Sequence, residues 1–573
     1  MVAGLLAFLT LLFDLGFEHS IDASRILDRL YLFFLLFITL YVPFRYILSA
    51  PVHQKLQVWV TDGILFAFYL LVFLSRALAD LSGRTLITVL ENKIWLVPVF
   101  TFFLIRELSR FDFWFRNKKI NPALLFVSSF FSLILVGTFL LMMPRATHSG
   151  ISFTDAFFTS TSAVCVTGLI VVDTGTYFTQ FGQVVIIILV QLGGLGIMTF
   201  TSFFVFFFSG GTSFHNMIVI GNVTHEKKLA RVFSTLWNIV IFTFLLEAVG
   251  MILIYLSLDQ PEEMVPGGKI FFSLFHAVSG FCNSGFSTLS HSLHEISFRF
   301  NYPLHLVIAM LFIIGGLGFP VITNIYNYLR HLFHKSLRWL DPHKRTYHLH
   351  IISLNTRIVL LTTLILIVAG TIAFYLLEYH NTLSGHSGGG KLATAFFSAV
   401  TPRTAGFNSV DTGSLHLPTM IMVILLMWIG ASPGSTGGGV KTSTFALSVL
   451  NVISLARGRN RVEFFNREIP NRSLKRASAF IILSFIMTGS AIFVLLLTDP
   501  GKSFSSILFE VFSAFSTVGL SRGITGDLSV AGKYVIIFTM FTGRVGTLTL
   551  LVAFFRKPRS LQYRYPSEDI LIN

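Results

Sequence analysis

Four copies of a short glycine-containing segment recur along this chain of 573 residues. The copies contain Gly168, Gly285, Gly406 and Gly519, and successive glycines are 117, 121 and 113 residues apart. A period above 100 residues is too long for a solenoid and fits the duplication of a membrane unit. We therefore predict four pseudo-repeats whose glycine loops converge on a common axis.

Long apolar runs surround each copy. Hydrophobic residues make up 53% of the chain and charged residues only 12%, whereas a soluble protein carries about 25% charged residues. This composition excludes a disordered chain, a disulfide-rich secreted scaffold and an ordinary cytosolic enzyme. The sequence predicts an all-α polytopic membrane protein. The net charge of +15 is explained by basic loops between spans, so no nucleic-acid partner is expected.

The same order of segments recurs in every predicted repeat. A first apolar run covers 122–143, 231–257, 355–378 or 474–497, and a second covers 180–208, 302–330, 417–450 or 530–555. Between them lies a short amphipathic segment at 153–164, 270–281, 392–401 or 504–515. These segments cannot cross about 30 Å of hydrocarbon but match a re-entrant pore helix. Each repeat is thus a span, a pore helix with a filter loop, and a second span.

The predicted domains follow from this order. The four repeats cover 116–225, 226–350, 351–470 and 471–573, the last with a short cytoplasmic tail. Residues 1–115 form an N-terminal extension with three or four predicted spans, a choice that the sequence leaves open.

The distribution of basic residues predicts the orientation. Segments on one side of the predicted membrane hold 25 Lys and Arg. Segments on the side of the glycine loops hold seven Lys and Arg and ten Asp and Glu. Because basic loops stay in the cytoplasm, the glycine loops are expected to face outward, and their acidic surroundings would concentrate cations.

Main-chain carbonyl groups are the expected cation ligands in the glycine loops. Glycine permits positive φ, which lets successive carbonyls point at an axial ion, and rings of carbonyls can replace the hydration shell of potassium. Arg403 is the one charged residue next to these glycines. The alternative is that the glycines form ordinary turns in a helical bundle. The predicted potassium ligands, and the only metal sites expected, are the carbonyls of Val166, Thr167, Gly168, Asn283, Ser284, Gly285, Thr404, Ala405, Gly406, Thr517, Val518 and Gly519.

The second apolar run of the third repeat contains a segment that a helix does not tolerate easily. It includes Gly430, Ser432, Pro433, Gly434, Ser435, Thr436, Gly437, Gly438 and Gly439. We predict a polar loop at mid-membrane that gates the pore, or alternatively a passive kink.

Two basic residues near this segment also need an explanation. Arg544 lies too deep in its span to reach water by snorkelling. It is expected to face the pore as part of the gate, or else to pair with Glu247. Lys441 could bind a carboxylate or lie at the cytoplasmic end of its helix.

The chain resembles the Trk/Ktr/HKT potassium-transporter superfamily, most closely the bacterial Ktr/Trk membrane subunit. The motifs that carry the resemblance are the four glycine loops, Gln191-Leu-Gly-Gly-Leu-Gly-Ile-Met-Thr-Phe200, the glycine-rich segment ending at Lys441, and Gly543-Arg-Val-Gly-Thr-Leu-Thr549. The resemblance covers about residues 121–565. The N-terminal extension exceeds the usual additions in this family.

This resemblance implies potassium uptake through a gated, potassium-selective pore in a bacterial cell membrane, driven by the membrane potential. It also implies a homodimer and a cytoplasmic regulatory ring subunit, which would carry the nucleotide and dock on the loops at 330–357 and 456–476. Glycine at position 168 implies a preference for potassium over sodium, with sodium activation possible. No covalently bound cofactor is expected.

Two alternatives remain open. The chain could be a sodium-selective or sodium-coupled transporter of the same family. It could instead be an intramembrane serine hydrolase, because Gly430-Ala-Ser432-Pro-Gly434 matches the G-x-S-x-G pattern. The hydrolase pattern needs a preceding strand and a His–acid pair, neither of which is evident, so we do not expect an enzyme.

Overall fold

Helices dominate the computed structural model, which describes residues 2–48, 56–82, 92–108, 122–208, 232–337, 352–459, 461–547 and 550–551. In chain order the helices are α1 (Val2–Gly16), α2 (Ile21–Leu48), α3 (Leu56–Ser82), α4 (Leu96–Leu108), α5 (Pro122–Leu141), α6 (Phe153–Val164), α7 (Gln180–Phe208), α8 (Val232–Ser257), α9 (Lys269–Cys282), α10 (Tyr302–Leu317), α11 (Phe319–Leu337), α12 (Leu354–Glu378), α13 (Gly388–Val400), α14 (Leu417–Trp428), α15 (Thr442–Ala456), α16 (Asn471–Thr498), α17 (Phe504–Phe515) and α18 (Val530–Val545). A small antiparallel hairpin, β1 (Glu463–Phe464) and β2 (Arg467–Glu468), precedes α16.

Several helices are long and apolar enough to cross a membrane. Within the described ranges these are five stretches, in α2, α3, α8, α12 and α16, or six if α10 and α11 count as one span bent by 99°. The predicted polytopic, all-α fold is confirmed. The chain is a multi-pass membrane protein.

Four shorter helices, α6, α9, α13 and α17, lie at the positions predicted for the re-entrant segments. Three of them begin at a serine whose side chain accepts a backbone N–H of the first turn, at Ser152, Ser387 and Ser503. Such caps satisfy amide groups that a helix start leaves free. The caps fix where each short helix begins, and therefore where it delivers the glycine loop that follows it.

The second span is interrupted in every repeat, and this differs from the prediction. The sequence predicted an interruption only in the third repeat, between α14 and α15. The structure also has breaks at Gly196 inside α7, at Gly318 between α10 and α11, and at Gly546 after α18, where φ is 65°, 85° and 85°. A positive φ is incompatible with a right-handed helix and is readily adopted by glycine. Each second span is therefore interrupted, and in the fourth repeat the described residues 547 and 550–551 after Gly546 are again helical.

The described residues of the N-terminal extension include the helices α1 to α4, which pack around a core of their own that includes Tyr31, Leu35 and Phe100. Of the four, α2 and α3 contain stretches long enough to span. Asp14 is buried at one end of this bundle, where it accepts from Tyr31 Oη (2.9 Å) and Lys93 Nζ (3.1 Å). Arg145, just after α5, donates to the Asp14 carbonyl (3.4 Å) and joins the bundle to the first repeat.

Candidate functional site: a ring of four loops over a glycine-rich segment

The four glycine loops meet in the structure. A Cβ atom added to any of the four glycines would collide with the carbonyl oxygen of the residue that precedes the glycine of the next repeat. The colliding pairs are Gly168 with Ser284, Gly285 with Ala405 (2.9 Å), Gly406 with Val518, and Gly519 with Thr167. The order of contacts runs through repeats one, two, three and four and returns to one, so the loops form a closed ring in which no side chain fits at the glycine position.

The backbone of each loop adopts the same unusual conformation. Two residues have positive φ in every loop, the glycine itself and the residue two positions before it. The second set is Val166 (55°), Asn283 (61°), Thr404 (73°) and Thr517 (51°). Three of these residues are β-branched, and β-branched residues rarely adopt positive φ. Such strain persists only where surrounding contacts hold it in place and is typical of functional sites.

Hydrogen bonds from the pore helices provide those contacts. The residue six positions before the glycine is a serine in three repeats. Ser162 Oγ accepts from Gly168 N (3.0 Å), and Ser513 Oγ accepts from Gly519 N (3.1 Å). In the second repeat, Ser279 Oγ donates instead to the Phe286 carbonyl (2.6 Å). The third repeat has Val400 at this position, so its loop is held differently.

The pore helices also shape the electrostatics of the ring. All four end just before the positive-φ residues, at Val164, Cys282, Val400 and Phe515. The C-terminal end of a helix carries a partial negative charge of about half an electron. Four such ends beside one ring of carbonyls favour a cation at its centre.

The glycine-rich segment lies directly against the underside of this ring. The structure has no helix between Trp428 and Thr442, as the sequence predicts. Gly438 N donates to Thr517 Oγ1 (2.9 Å), and Thr436 Oγ1 donates to the Phe281 carbonyl (3.4 Å). The segment therefore touches the glycine loop of repeat four and the end of the short helix α9 of repeat two.

The segment is also fixed to the break between α10 and α11. Ser432 N donates to the Gly316 carbonyl (3.0 Å), and Phe319 N donates to the Gly434 carbonyl (3.2 Å). Ser432 Oγ accepts a hydrogen bond from Thr442 Oγ1 (3.2 Å). Ser432 thus follows a helix rather than a strand, and its hydroxyl is bonded to a threonine, an arrangement that does not fit a hydrolase nucleophile.

Arg544 joins the segment to another repeat. Its guanidinium is buried, with 6% exposure, and donates to the carbonyls of Thr436 and Gly193. Glu247, the alternative partner, accepts instead from Gln191 Nε2 (3.1 Å). The ion pair with Glu247 is therefore not formed.

Lys441 forms no ion pair with a carboxylate of the described residues. Its Nζ donates back to the Gly437 carbonyl (2.5 Å) within the segment itself. Both cations beside the segment are thus bound to main-chain oxygens rather than to carboxylates.

Comparisons with known proteins agree with this geometry. Residues 100–563 match the family model described as TrkH, cation transport protein. The chain belongs to the TrkH family of cation transport proteins. The match begins at residue 100, so most of the N-terminal extension lies outside the part shared with the TrkH family.

Several curated proteins are similar to this chain over most of their length. The Ktr system potassium uptake protein B of Vibrio alginolyticus is 37% identical over 458 residues, which are 80% of this chain and 96% of the relative. The potassium/sodium uptake protein NtpJ of Enterococcus hirae is 36% identical, over 80% of this chain and 98% of the relative. The crystal structure of the potassium transporter TrkH from Vibrio parahaemolyticus has the same fold, with a TM-score of 0.61 and 20% identity over 87% of this chain and 97% of that structure.

Two outer-loop histidines give the protein a predicted acid sensitivity. Burial lowers the pKa of His294 and His386, and the positive charge of Arg299 lowers both further. The folded protein therefore binds these protons more weakly than the unfolded chain, whose histidines titrate near pH 6.5. Stability is fully present above that pH and falls as the pH drops below about 6.5.

Thermal unfolding at a series of pH values tests this expectation. The Tm should be nearly constant above about pH 7 and should fall below about pH 6.5. His386→Gln removes one of the histidines whose pKa is lowered in the folded protein and should flatten the fall. A profile for this variant parallel to that of the wild type would exclude His386 as a source.

Proposed function

We propose that this chain takes up potassium into the cell through a gated pore whose filter is the ring of four loops. The carbonyls of the three residues ending at each of Gly168, Gly285, Gly406 and Gly519 would replace the water shell of potassium. The observation that carries the proposal is the closed cycle of backbone contacts between the four glycines. The membrane potential would drive entry with about 2.3 kcal/mol per charge per 100 mV.

The same proposal assigns the gate to residues 430–439 and Arg544. These residues lie under the ring, where an ion leaving the filter toward the inner side would meet them. The hydrogen bonds from Gly438 to Thr517, and from Arg544 to Thr436, would hold the segment closed. Displacement of the segment would open the pore.

Regulation and assembly complete the proposal. Two relatives that are 37% identical to this chain are described as proteins of a Ktr system, a name that supports a partner component. We propose a homodimer that binds a cytoplasmic ring subunit, with the nucleotide on that subunit. Of the two segments proposed for docking, 456–476 includes the hairpin β1–β2 with Arg461 and Arg467, and residues 338–351 of the other lie outside the described residues.

Ion uptake by the purified protein in liposomes tests the selectivity of the filter. Wild-type protein should take up rubidium and exclude sodium, and Gly168→Ser should lower the rubidium-to-sodium ratio about tenfold, or about 1.4 kcal/mol. The reason is steric, because a side chain at this position would displace the Ser284 carbonyl. Gly489→Ser, at a glycine with open space around it, is the matched control and should retain the wild-type ratio.

Unchanged discrimination in Gly168→Ser would remove Gly168 from the filter. A wild-type protein that carries sodium as readily as rubidium would favour the second candidate, a sodium-selective or sodium-coupled transporter. This candidate is supported by the description of the Enterococcus hirae relative as a potassium/sodium uptake protein.

A further inference from the structure

Two glutamates are completely buried on the outer side of the protein, and their hydrogen bonding differs. Glu378, at the end of α12, accepts from His416 N (3.1 Å), Thr419 Oγ1 (2.6 Å), Asn381 Nδ2 (2.8 Å) and Thr382 Oγ1 (3.0 Å). Four donors of this kind compensate the burial of a carboxylate. This chain can therefore supply a full set of donors to a buried acid in this region.

Glu510, in the middle of pore helix α17, lacks such a set. Its side chain is 0% exposed, and Oε1 accepts from Thr525 Oγ1. Oε2 is buried and has no hydrogen-bond partner among the described residues. A buried carboxylate left in this state is costly, so buried acids bind a metal, pair with a charge or hold a proton.

The second repeat shows how the same position is satisfied by another residue. Glu510 lies nine residues before Gly519, and His276 lies nine residues before Gly285. His276 is complete, because its Nδ1 lies 2.9 Å from the Phe272 carbonyl and its Nε2 lies 2.9 Å from Ser287 Oγ. The corresponding serine in repeat four is Ser521. Both repeats therefore have a serine at the equivalent position. The missing hydrogen bond is a property of the Glu510 side chain and not of its position in the repeat.

Further oxygen atoms surround the Glu510 carboxylate. Thr525 Oγ1 lies 2.9 Å from Ser521 Oγ, and Thr525 is 3% exposed. The Ser521 carbonyl accepts from Thr412 Oγ1, which belongs to the third repeat. The possible ligand atoms of the cluster are therefore all oxygens, of a carboxylate, two hydroxyls and a carbonyl, and Ser521 Oγ also accepts a hydrogen bond from Gly523 N (3.0 Å). Such oxygen sets suit hard cations.

We propose that Glu510, Ser521 and Thr525 bind one monovalent cation behind the fourth filter loop, with sodium preferred to potassium. A single carboxylate balances one positive charge, whereas a divalent ion would leave a net buried charge. The residues around this carboxylate are closely packed, with Glu510 0% and Thr525 3% exposed, so a small ion fits there more easily than a large one. Ser521 comes two residues after Gly519, so a bound ion would also hold the outer end of that loop. The site does not depend on the proposed selectivity of the filter.

Thermal unfolding of the purified full-length protein tests this proposal without a transport assay. Potassium chloride is kept at a fixed saturating concentration, and sodium chloride replaces choline chloride at constant ionic strength. Sodium should raise the Tm of the wild type in a saturable manner by about 2 °C or more, as expected for a ligand that binds the folded state only. Glu510→Gln keeps the shape of the side chain but not its charge, and should abolish the increment.

Glu378→Gln is the matched control. It removes the charge of a buried carboxylate whose hydrogen bonds are complete, so it should lower the Tm but leave the sodium increment unchanged. Thr525→Val, which removes a hydroxyl at nearly constant volume, replaces Glu510→Gln if that variant fails to fold.

Two results would overturn the site. One is a wild-type Tm that does not respond to sodium, which would mean that Glu510 simply holds a proton. The other is a sodium increment that survives in Glu510→Gln or Thr525→Val.

Discussion

Removing residues 431–438 is expected to raise rubidium flux through the protein about tenfold or more, which corresponds to a barrier lower by about 1.4 kcal/mol. The segment lies against the ring of four glycine loops and donates to Thr517 from Gly438 N (2.9 Å). When the segment is removed, it no longer obstructs an ion that leaves the ring toward the inner side. The hydrogen bonds that hold the segment in place are removed with it.

The deletion is structurally mild because the ends of the segment already touch. A Cβ atom added to Gly430 would lie 3.2 Å from the Gly439 Cα atom, and Ile429 pairs with Val440 in a β-bridge. Joining Gly430 to Gly439 therefore needs little backbone movement. Rubidium uptake into liposomes, with the amount of folded protein measured by size-exclusion chromatography, gives the flux per molecule. A folded deletion variant with wild-type flux would show that the segment is a passive kink.

Replacing Arg544 by glutamine is also expected to raise rubidium flux by about tenfold, but for a different physical reason. The guanidinium bonds to the Thr436 carbonyl in the segment and to the Gly193 carbonyl in α7. Hydrogen bonds from charged groups contribute about 1.5–3 kcal/mol each. Their loss frees the segment, and removal of the positive charge also removes its repulsion of a passing cation.

The matched control for this variant is Arg29→Gln, which removes a positive charge from an exposed position of α2, outside the proposed filter, gate and docking segments. It should leave the flux unchanged. Arg544→Lys separates the two contributions, because lysine keeps the charge but loses the two-pronged contact. If Arg544→Gln conducts at or below the wild-type rate, Arg544 neither closes the segment nor repels the ion.

The pore helices are the part of the fold that could be predicted most closely from the sequence. The bounds of α6 and α17 agree with the predicted 153–164 and 504–515. Both helices begin after a serine cap and end before a glycine loop, so local signals mark each end. For α13 the prediction began at residue 392, but the helix starts at Gly388. The three glycines at 388–390 are typical of a loop, yet they are helical, because the Ser387 side chain caps the helix start at Gly390 N and Gly390 packs against Tyr302.

The breaks at Gly196, Gly318 and Gly546 could not be predicted in this way. One glycine in an apolar run costs a helix only about 1 kcal/mol, so the sequence does not distinguish a tolerated glycine from a break. At Gly318 the decisive contact comes from distant residues, because the Pro433 carbonyl would lie 2.7 Å from a Cβ atom there. The glycine-rich segment thus needs Gly318 to stay without a side chain.

The partners of the two buried cations were also beyond the reach of the sequence. Arg544 bonds to a carbonyl 108 residues away and another 351 residues away. Every residue has a carbonyl, so no pattern of residue types marks these acceptors. The sequence does show that Arg544 lies in the middle of a span. Its charge must therefore be compensated by other groups inside the protein.

The position of the permeating ion tests the central claim most directly. Crystals or grids of the protein prepared in rubidium or thallium salts would show these heavy cations by anomalous scattering or as strong density. We expect at least one peak at the centre of the ring formed by Gly168, Gly285, Gly406 and Gly519. An empty, closed ring with cation peaks elsewhere in the membrane region would contradict the assignment of the four loops as the filter.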